Sequence, residues 1–497
     1  MNSKSKIKIG ASELSVFCLL GLLLILYILQ FGAVSPNPVV SIRVASWIGI
    51  AEMAAVFCSW RSSYYRLLSP SFIVLVALYL VLCGQSIMWA FGLEAGYRDL
   101  LQSPNWGLSE VQVVKGLLYS ELCILLLHIA VIMSVDSKTK KTRTYWADKA
   151  NKGNRIKPQS SYRAILLVAI VIVLLSIGPY LLDFAQTYSY VLMYGYDHAY
   201  DLINYGLDSI VSKVGAFFPV GVIMLIMCWG KKDELNENNY FWKALACYIS
   251  VAIVIGTSLV LGRRTNVILY ALTFLIIWFK DKKMRRSTII IFFVVCLVGM
   301  AGMRLVDLLR SGGITDLADF INFFAGSEES PVIDFLGDIG WNLLSTIEVQ
   351  AFIPKTKGFS YGFTYLVSLS SVIPNIGFWS VHPASAYGMA STWLQNAMGI
   401  SYGVGFSPVA EAYYNFGVFG PLFFLLLGWF MTKMNGLFEK HDRPLCLLIP
   451  VIFTGAIAKS FVRSCFAAVF RPMFLYMVLI PLVVYLLAKQ IDQKEGI

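Results

Sequence analysis

The chain carries about a dozen uninterrupted apolar blocks, each near the ~20 residues that an α-helix needs to cross a hydrocarbon core. No other feature constrains the fold as much. Inside a bilayer every backbone N–H and C=O must be satisfied within its own segment, so blocks of this length fold as helices. They fall at residues 12–34, 39–60, 71–93, 111–135, 164–184, 208–230, 244–261, 265–279, 287–308, 408–432, 444–461 and 466–488. The expectation is an all-α polytopic integral membrane protein with about twelve transmembrane helices. Composition agrees, since 58% of the 497 residues are hydrophobic and only 14% charged, against about a quarter charged in soluble domains. Those figures exclude a disordered chain, collagen and a disulfide scaffold. The first block is too long for a cleavable signal peptide, and no small-residue cleavage site follows it in Gly32-Ala33-Val34-Ser35-Pro36.

The net charge of +11 would suggest nucleic acid in a soluble protein. Here most of it sets orientation, because short cytoplasmic loops collect Lys and Arg. With Lys4, Lys6 and Lys8 in the cytoplasm, the same side takes the basic run 138–157, Lys231-Lys232, the run 280–286, Lys433 to Arg443 and the C-terminal Lys489 and Lys494. That side holds roughly 27 of the 40 basic residues, so both termini are expected in the cytoplasm and no nucleic-acid partner is needed. All nine cysteines lie inside or at the edge of a block and none has metal-ligand spacing. They read as small apolar packers, with no disulfide and no metal site.

Three regions follow from this layout: helices one to nine over 1–308, a long outer-face stretch over 309–407, and helices ten to twelve with a cytoplasmic tail over 408–497. The middle stretch holds Trp341, Trp379 and Trp393 and an amphipathic run over 363–373. A loop of such length in a compact protein is usually functional. It reads as a small, partly helical cap on the membrane surface that dips toward the bundle.

The residues that defy the inside bias carry the functional signal. On the outer side stand Arg43, Arg98, Arg263, Arg264, Arg304, Arg310, Arg463 and Arg471, with Lys115, Lys213, Lys355, Lys357 and Lys459. Arg thus outnumbers Lys outside, while the cytoplasmic side holds 19 Lys and 8 Arg. The guanidinium fork binds phosphate in a bidentate way and sheds hydration more readily than an ammonium. An arginine at a helix centre costs roughly 2.5–3.5 kcal/mol on insertion scales, so such residues need partners. Singly they snorkel to headgroups or pair with local acids. As the pairs Arg263-Arg264, Arg304 with Arg310, and Arg463 with Arg471, they would form a phosphate or pyrophosphate site if their helix ends converge.

Two acids on that side stand out. Asp307 lies three residues from both Arg304 and Arg310, on one helical face. Glu411 opens the tenth block. Each is a candidate for proton transfer and equally a candidate counter-ion of an arginine. His382 is a lone histidine in the outer stretch, and His128 is mid-block and expected to be hydrogen-bonded. Glu52 and Glu121 are intramembrane acids, for which function is the default expectation, but the sequence names no partner for them. The tyrosines at 188–205, with Asp197 and Asp201, suit sugar stacking and an interfacial aromatic belt equally well.

Four motifs then resemble the bacterial Wzy-type O-antigen and repeat-unit polysaccharide polymerases, relatives of the O-antigen ligases. They are Leu261-Gly262-Arg263-Arg264-Thr265-Asn266; Gly302-Met303-Arg304; Gly405-Phe406-Ser407-Pro408 through Glu411 to Asn415-Phe416-Gly417-Val418-Phe419-Gly420; and Phe461-Val462-Arg463-Ser464 with Arg471-Pro472. Together they cover roughly the second half of the chain, in order around the long outer stretch.

The resemblance implies a multi-span glycosyltransferase of GT-C-like architecture in the bacterial cytoplasmic membrane, with its active site facing outward and no metal or cofactor. Such an enzyme moves a growing glycan from undecaprenyl pyrophosphate to the non-reducing end of a newly exported, lipid-linked repeat unit. A flippase and a chain-length regulator are the partners it would meet, besides the lipid bilayer. Carried across residue by residue, Arg263, Arg264 and Arg463 would hold the pyrophosphate, with Arg304, Arg310 and Arg471 in support. Tyr413 and His382 would contact the acceptor. Ligases place a His near the start of the tenth helix, whereas this chain reads Phe406-Ser407-Pro408, which leaves the base to Glu411 or Asp307.

Elementary chemistry fits that reaction. Pyrophosphate is already a good leaving group, so the protein must stabilise developing charge with fixed cations. It must also align the acceptor hydroxyl and take its proton. A single displacement would invert the anomeric centre. A lipid-linked oligosaccharide flippase or other secondary transporter is the alternative from another class, and a ligase-like transferase the alternative within it. Carriers usually show internal repeats and midplane sites. The two halves of this chain show no repeat, and its outer cations gather toward one face.

Overall fold

The computed structural model describes residues 11–32, 37–62, 69–94, 96, 99–102, 107–134, 158–194, 206–229, 240–261, 264–279, 331–375, 377–400, 403, 405–439 and 443–495. All regular structure among them is helical. The first four helices are α1 (Ala11–Gly32), α2 (Ile42–Ser62), α3 (Pro70–Phe91) and α4 (Glu110–Met133). Then come α5 (Pro158–Tyr194), α6 (Gly206–Gly215), α7 (Phe218–Trp229), α8 (Tyr240–Val260) and α9 (Arg264–Phe279). The middle of the chain forms α10 (Pro331–Gly340), α11 (Leu343–Phe352), α12 (Phe363–Ser368) and α13 (Ala390–Met398). The last six are α14 (Pro408–Phe416), α15 (Phe423–Glu439), α16 (Pro444–Ile452), α17 (Ala458–Arg463), α18 (Phe466–Phe474) and α19 (Ile480–Glu495).

Ten segments of the described chain are long and apolar enough to cross a membrane. They coincide with ten of the twelve blocks read from the sequence. The block at 265–279 is the 16-residue α9, shorter than the others. The block at 287–308 lies outside the described residues. The chain is a polytopic helical membrane protein.

Two of the terminal spans are interrupted rather than straight, and proline is the cause. Pro450 and Pro472 each lack the N–H that an α-helix needs, and each precedes a wide turn, at Phe453–Ile457 and Leu475–Leu479. α17 ends at Arg463, and an extended Ser464-Cys465 link separates it from α18.

Burial sorts the helices. α4 is the hub: it packs against α1, α2, α3, α11 and α15, and nearly all of its central residues are inaccessible. α1 and α5 lie at the periphery and turn Ile25, Ile28, Leu174 and Leu175 outward, as lipid-facing helices do. Within the stretch read as an outer loop, α10 and α11 are core. α10 crosses α3 where Gly84 meets Gly340, and a Cβ on Gly84 would stand 2.9 Å from the Leu336 carbonyl oxygen. α11 buries Leu343, Leu344 and Ile347 completely against α4 and α14. Two helices of 10 residues each escape a reading based on spanning length.

Candidate active site

The Gly405–Gly420 motif is anchored at its start by α11. Asn342 Nδ2 donates to the Phe406 carbonyl at 2.7 Å. Gly405 has φ +78° and its missing Cβ lets the Asn342 side chain approach, so a side chain there would be strained and would displace Asn342. Ser407 then caps α14 by accepting from the Ala410 N–H at 3.0 Å, with Pro408 at the first helical position, where its missing donor costs nothing.

Glu411 follows in the first turn and is 1% exposed. Its Oε1 accepts from the Thr364 hydroxyl at 3.0 Å, and its Oε2 accepts from the Phe466 backbone N–H at 2.6 Å. Phe466 is the first residue of α18, whose end presents unpaired N–H groups and a partial positive charge. One carboxylate thus ties α14 to α12 and to the start of α18. The sequence leaves Glu411 open as a counter-ion of an arginine, and in the structure a hydroxyl and a backbone amide occupy it instead.

Asn415 joins the same set of hydrogen bonds. Asn415 Nδ2 donates to Thr364 Oγ1 at 2.7 Å and to the Glu411 carbonyl at 2.9 Å, while its Oδ1 accepts from the Gly362 N–H at 3.1 Å. The Tyr361 N–H donates to the Asn415 carbonyl at 2.9 Å. Thr364 and Asn415 are as buried as Glu411. Linked pairing of this kind makes a rigid joint.

The other face of α14 walls a cavity of about 550 Å³. Tyr413 and Phe416 are three residues apart and line it together, whereas Glu411 points away from them. Phe31 of α1, Lys115 of α4, Gln350 of α11, and Phe359 and Tyr361 complete most of the wall. The rings interlock: Tyr413 meets Tyr119 edge-on at 5.3 Å and Phe359 at 6.1 Å, and Tyr119 donates to the Gly417 carbonyl at 3.1 Å. Lys115 lies 5.6 Å from the Phe31 ring centre. Aromatic faces with one ammonium and one amide can take a sugar ring and an anionic substituent. Beside this wall, Lys357 lies over the Tyr414 ring and donates to its hydroxyl. Two residues before Gln350, burial holds the Glu348 carboxyl above the ordinary carboxylate range.

The candidates from the sequence divide as follows. Arg463 ends α17, half-buried, three residues before the Phe466 amide that Glu411 accepts from, so these two motifs do converge. Arg471 is exposed on the last turn of α18. Arg264 opens α9. Arg263, Arg304, Asp307 and Arg310 lie outside the described residues. Tyr413 lines the cavity. His382 has both ring nitrogens engaged with its own loop, Nε2 with the Ile373 carbonyl at 3.0 Å and Nδ1 with the Ala384 N–H at 3.1 Å. That leaves it no free nitrogen for an acceptor.

Sequence reasoning missed Thr364, Gln350 and Phe359. Thr364 stands in the amphipathic run at 363–373, but nothing local ties it to Glu411, 47 residues on. Lys115 was visible only as a lysine on the wrong side.

A polytopic helical bundle with a polar joint beside an aromatic, cation-bearing cavity defines a membrane-embedded protein with a candidate ligand site. The family model for O-antigen polysaccharide polymerase Wzy matches residues 14–495, and the chain belongs to that family. It is therefore a multi-pass bacterial membrane protein and a polymerase of the glycosyltransferase type. Neither the curated proteins nor the solved structures include a match.

Proposed function

We propose that this polymerase transfers a growing glycan from undecaprenyl pyrophosphate to the non-reducing end of a lipid-linked repeat unit, at the outer face of the cytoplasmic membrane and with both termini inside. Family membership supports the reaction class. The observation that carries the finer reading is the joint at Glu411. It holds the helix that walls the cavity against the link that follows Arg463.

In this reading Arg463 and Arg264, with Arg263, Arg304, Arg310 and Arg471, stabilise charge developing on the leaving pyrophosphate. The cavity receives sugar, with Tyr413 and Phe359 as stacking faces and Lys115 and Gln350 as polar contacts. Glu411 is a positioning residue, since both carboxyl oxygens already hold structural donors and the side chain turns away from the cavity. Proton removal from the acceptor hydroxyl then falls to Asp307. The electron pair of that hydroxyl forms the new glycosidic bond while the bond to pyrophosphate breaks, in one inverting displacement that calls on no metal.

The experiment is direct. Purified protein is incubated with a lipid-linked repeat unit and the products are resolved by size. A ladder of longer products is expected. No ladder, together with movement of the lipid-linked substrate across proteoliposomes, would replace this reading with a flippase.

A further inference from the structure

Glu52 on α2 and Glu121 on α4, the two acids for which the sequence offers no partner, lie within electrostatic reach of each other across the α2–α4 interface. Both are wholly buried, and none of their four carboxyl oxygens has a hydrogen-bond partner. Gly49 makes their room. A Cβ there would stand 2.5 Å from Glu121 Oε1 and 3.6 Å from the Tyr79 hydroxyl of α3, so carboxyl and hydroxyl converge on the side-chain position that Gly49 does without. Tyr79 is 4% exposed, and its hydroxyl makes no hydrogen bond of normal geometry. Ser46 shares the Gly49–Glu52 face of α2 at i, i+3 spacing and is equally buried and unpartnered.

Charge decides what this site takes. Removing an uncompensated carboxylate from water costs several kcal/mol even after relaxation, and attraction to a nearby cation is what offsets it. Among the described residues, the groups that reach the pair are Tyr79 and Cys83 from α3 and Cys123 from α4, with Tyr27 of α1 against Cys123. None of them supplies positive charge. Elsewhere on α3 and α4, α10 and α11 bring Asp334, Asp338 and Glu348, which are acids too. Among the described residues no Lys or Arg acts on either carboxyl, and Lys433 of α15 lies over Trp429. Unpartnered buried oxygens of this kind mark the place of an ion or a proton.

We propose that Glu52, Glu121 and Tyr79, around the gap at Gly49, form an intramembrane site for one small monovalent cation, either H⁺ carried on a carboxyl or Na⁺ coordinated by the oxygens. The polymerase reaction uses none of these residues, but α4 connects the two sites. Lys115 and Tyr119 lie four residues apart on the face toward the cavity, and Glu121, two residues on, lies on the opposite face. Occupancy of the pair therefore sets the charge behind the cavity wall.

Two measurements on the full-length protein in detergent test this. The first is labelling by dicyclohexylcarbodiimide, which needs a protonated carboxyl in an apolar site, mapped by peptide mass spectrometry. The second is the unfolding temperature as Na⁺ replaces choline at constant ionic strength. Labelling at Glu52 or Glu121 that ignores Na⁺ and falls about tenfold per pH unit above its midpoint identifies the proton. Labelling that Na⁺ suppresses and choline does not, with a rising unfolding temperature, identifies Na⁺. Glu52→Gln and Glu121→Gln should each abolish the response, and Gly49→Ala should weaken it while leaving both carboxyls in place. No labelling of either residue between about pH 5 and about pH 9, with an unfolding temperature indifferent to Na⁺, overturns the proposal.

Discussion

Replacing Glu411 by alanine removes a joint rather than a catalyst, and the structure gives the size of the effect. Two hydrogen bonds to a buried acceptor are lost, from Thr364 at 3.0 Å and from the Phe466 amide at 2.6 Å. Leaving a buried donor without its acceptor costs about 1–3 kcal/mol, so Glu411→Ala should cost about 2–6 kcal/mol. The Phe466 N–H and the Thr364 hydroxyl would be left buried without an acceptor, and the truncated side chain leaves a cavity that adds to the loss. Glu411→Gln behaves differently. Its amide oxygen can accept from Phe466 and its NH₂ can donate to Thr364 Oγ1, so the cost should fall to about 1–2 kcal/mol. The assay pairs tryptophan-monitored unfolding in detergent with the product ladder from a lipid-linked repeat unit. The expected order is wild type, then Gln, then Ala, with stability and activity falling together. A Gln variant that unfolds like wild type yet makes no polymer would refute this reasoning and return Glu411 to the chemistry.

Four further outcomes follow from other parts of the structure. Arg463→Ala and Arg264→Ala should abolish polymer while membrane insertion stays normal, and full polymer in both variants would remove the arginines from the pyrophosphate site. Lys115→Ala and Tyr413→Ala should raise KM by about tenfold, the equivalent of about 1.4 kcal/mol of binding, with a smaller effect on kcat in steady-state assays of repeat-unit consumption. His382→Ala should lose only its loop contacts, about 0.5–1.5 kcal/mol each, and keep its ladder, so an inactive but stable variant would make this histidine an acceptor contact after all. Gly340→Ala brings a methyl against the Gln85 backbone amide at the α3–α10 crossing and should cost about 1–3 kcal/mol, read as a lowered unfolding temperature.

Hydropathy made most of the scaffold legible. Each long helix in the described chain had an apolar block behind it, because a bilayer forces backbone pairing within the segment. α10 and α11 were not legible. At 10 residues apiece they fall below spanning length, and what makes them core is the Gly84–Gly340 contact and the burial of Ile347 against α4. The site was legible in part. Glu411 and Arg463 could be singled out by type and side, and Tyr413 by its motif. Thr364, Gln350 and Phe359 carry no signal of their own, since a threonine, an amide or a phenylalanine in an amphipathic stretch is ordinary.

By itself the sequence determined that this chain is a bundle of membrane helices, which of its charges are unusual, and which motifs align it with a polymerase family. Those conclusions rest on local properties: block length, loop charge and short spacing. Tertiary structure alone decided the partners. It gave Glu411 a hydroxyl and a helix-end amide in place of an arginine, turned Tyr413 toward a cavity, locked His382 into its own loop, and set Glu52 against Glu121 across two helices. Apart from the loop contacts of His382, these depend on residues tens of positions apart or more, and helix packing fixes such contacts where periodicity along one helix cannot.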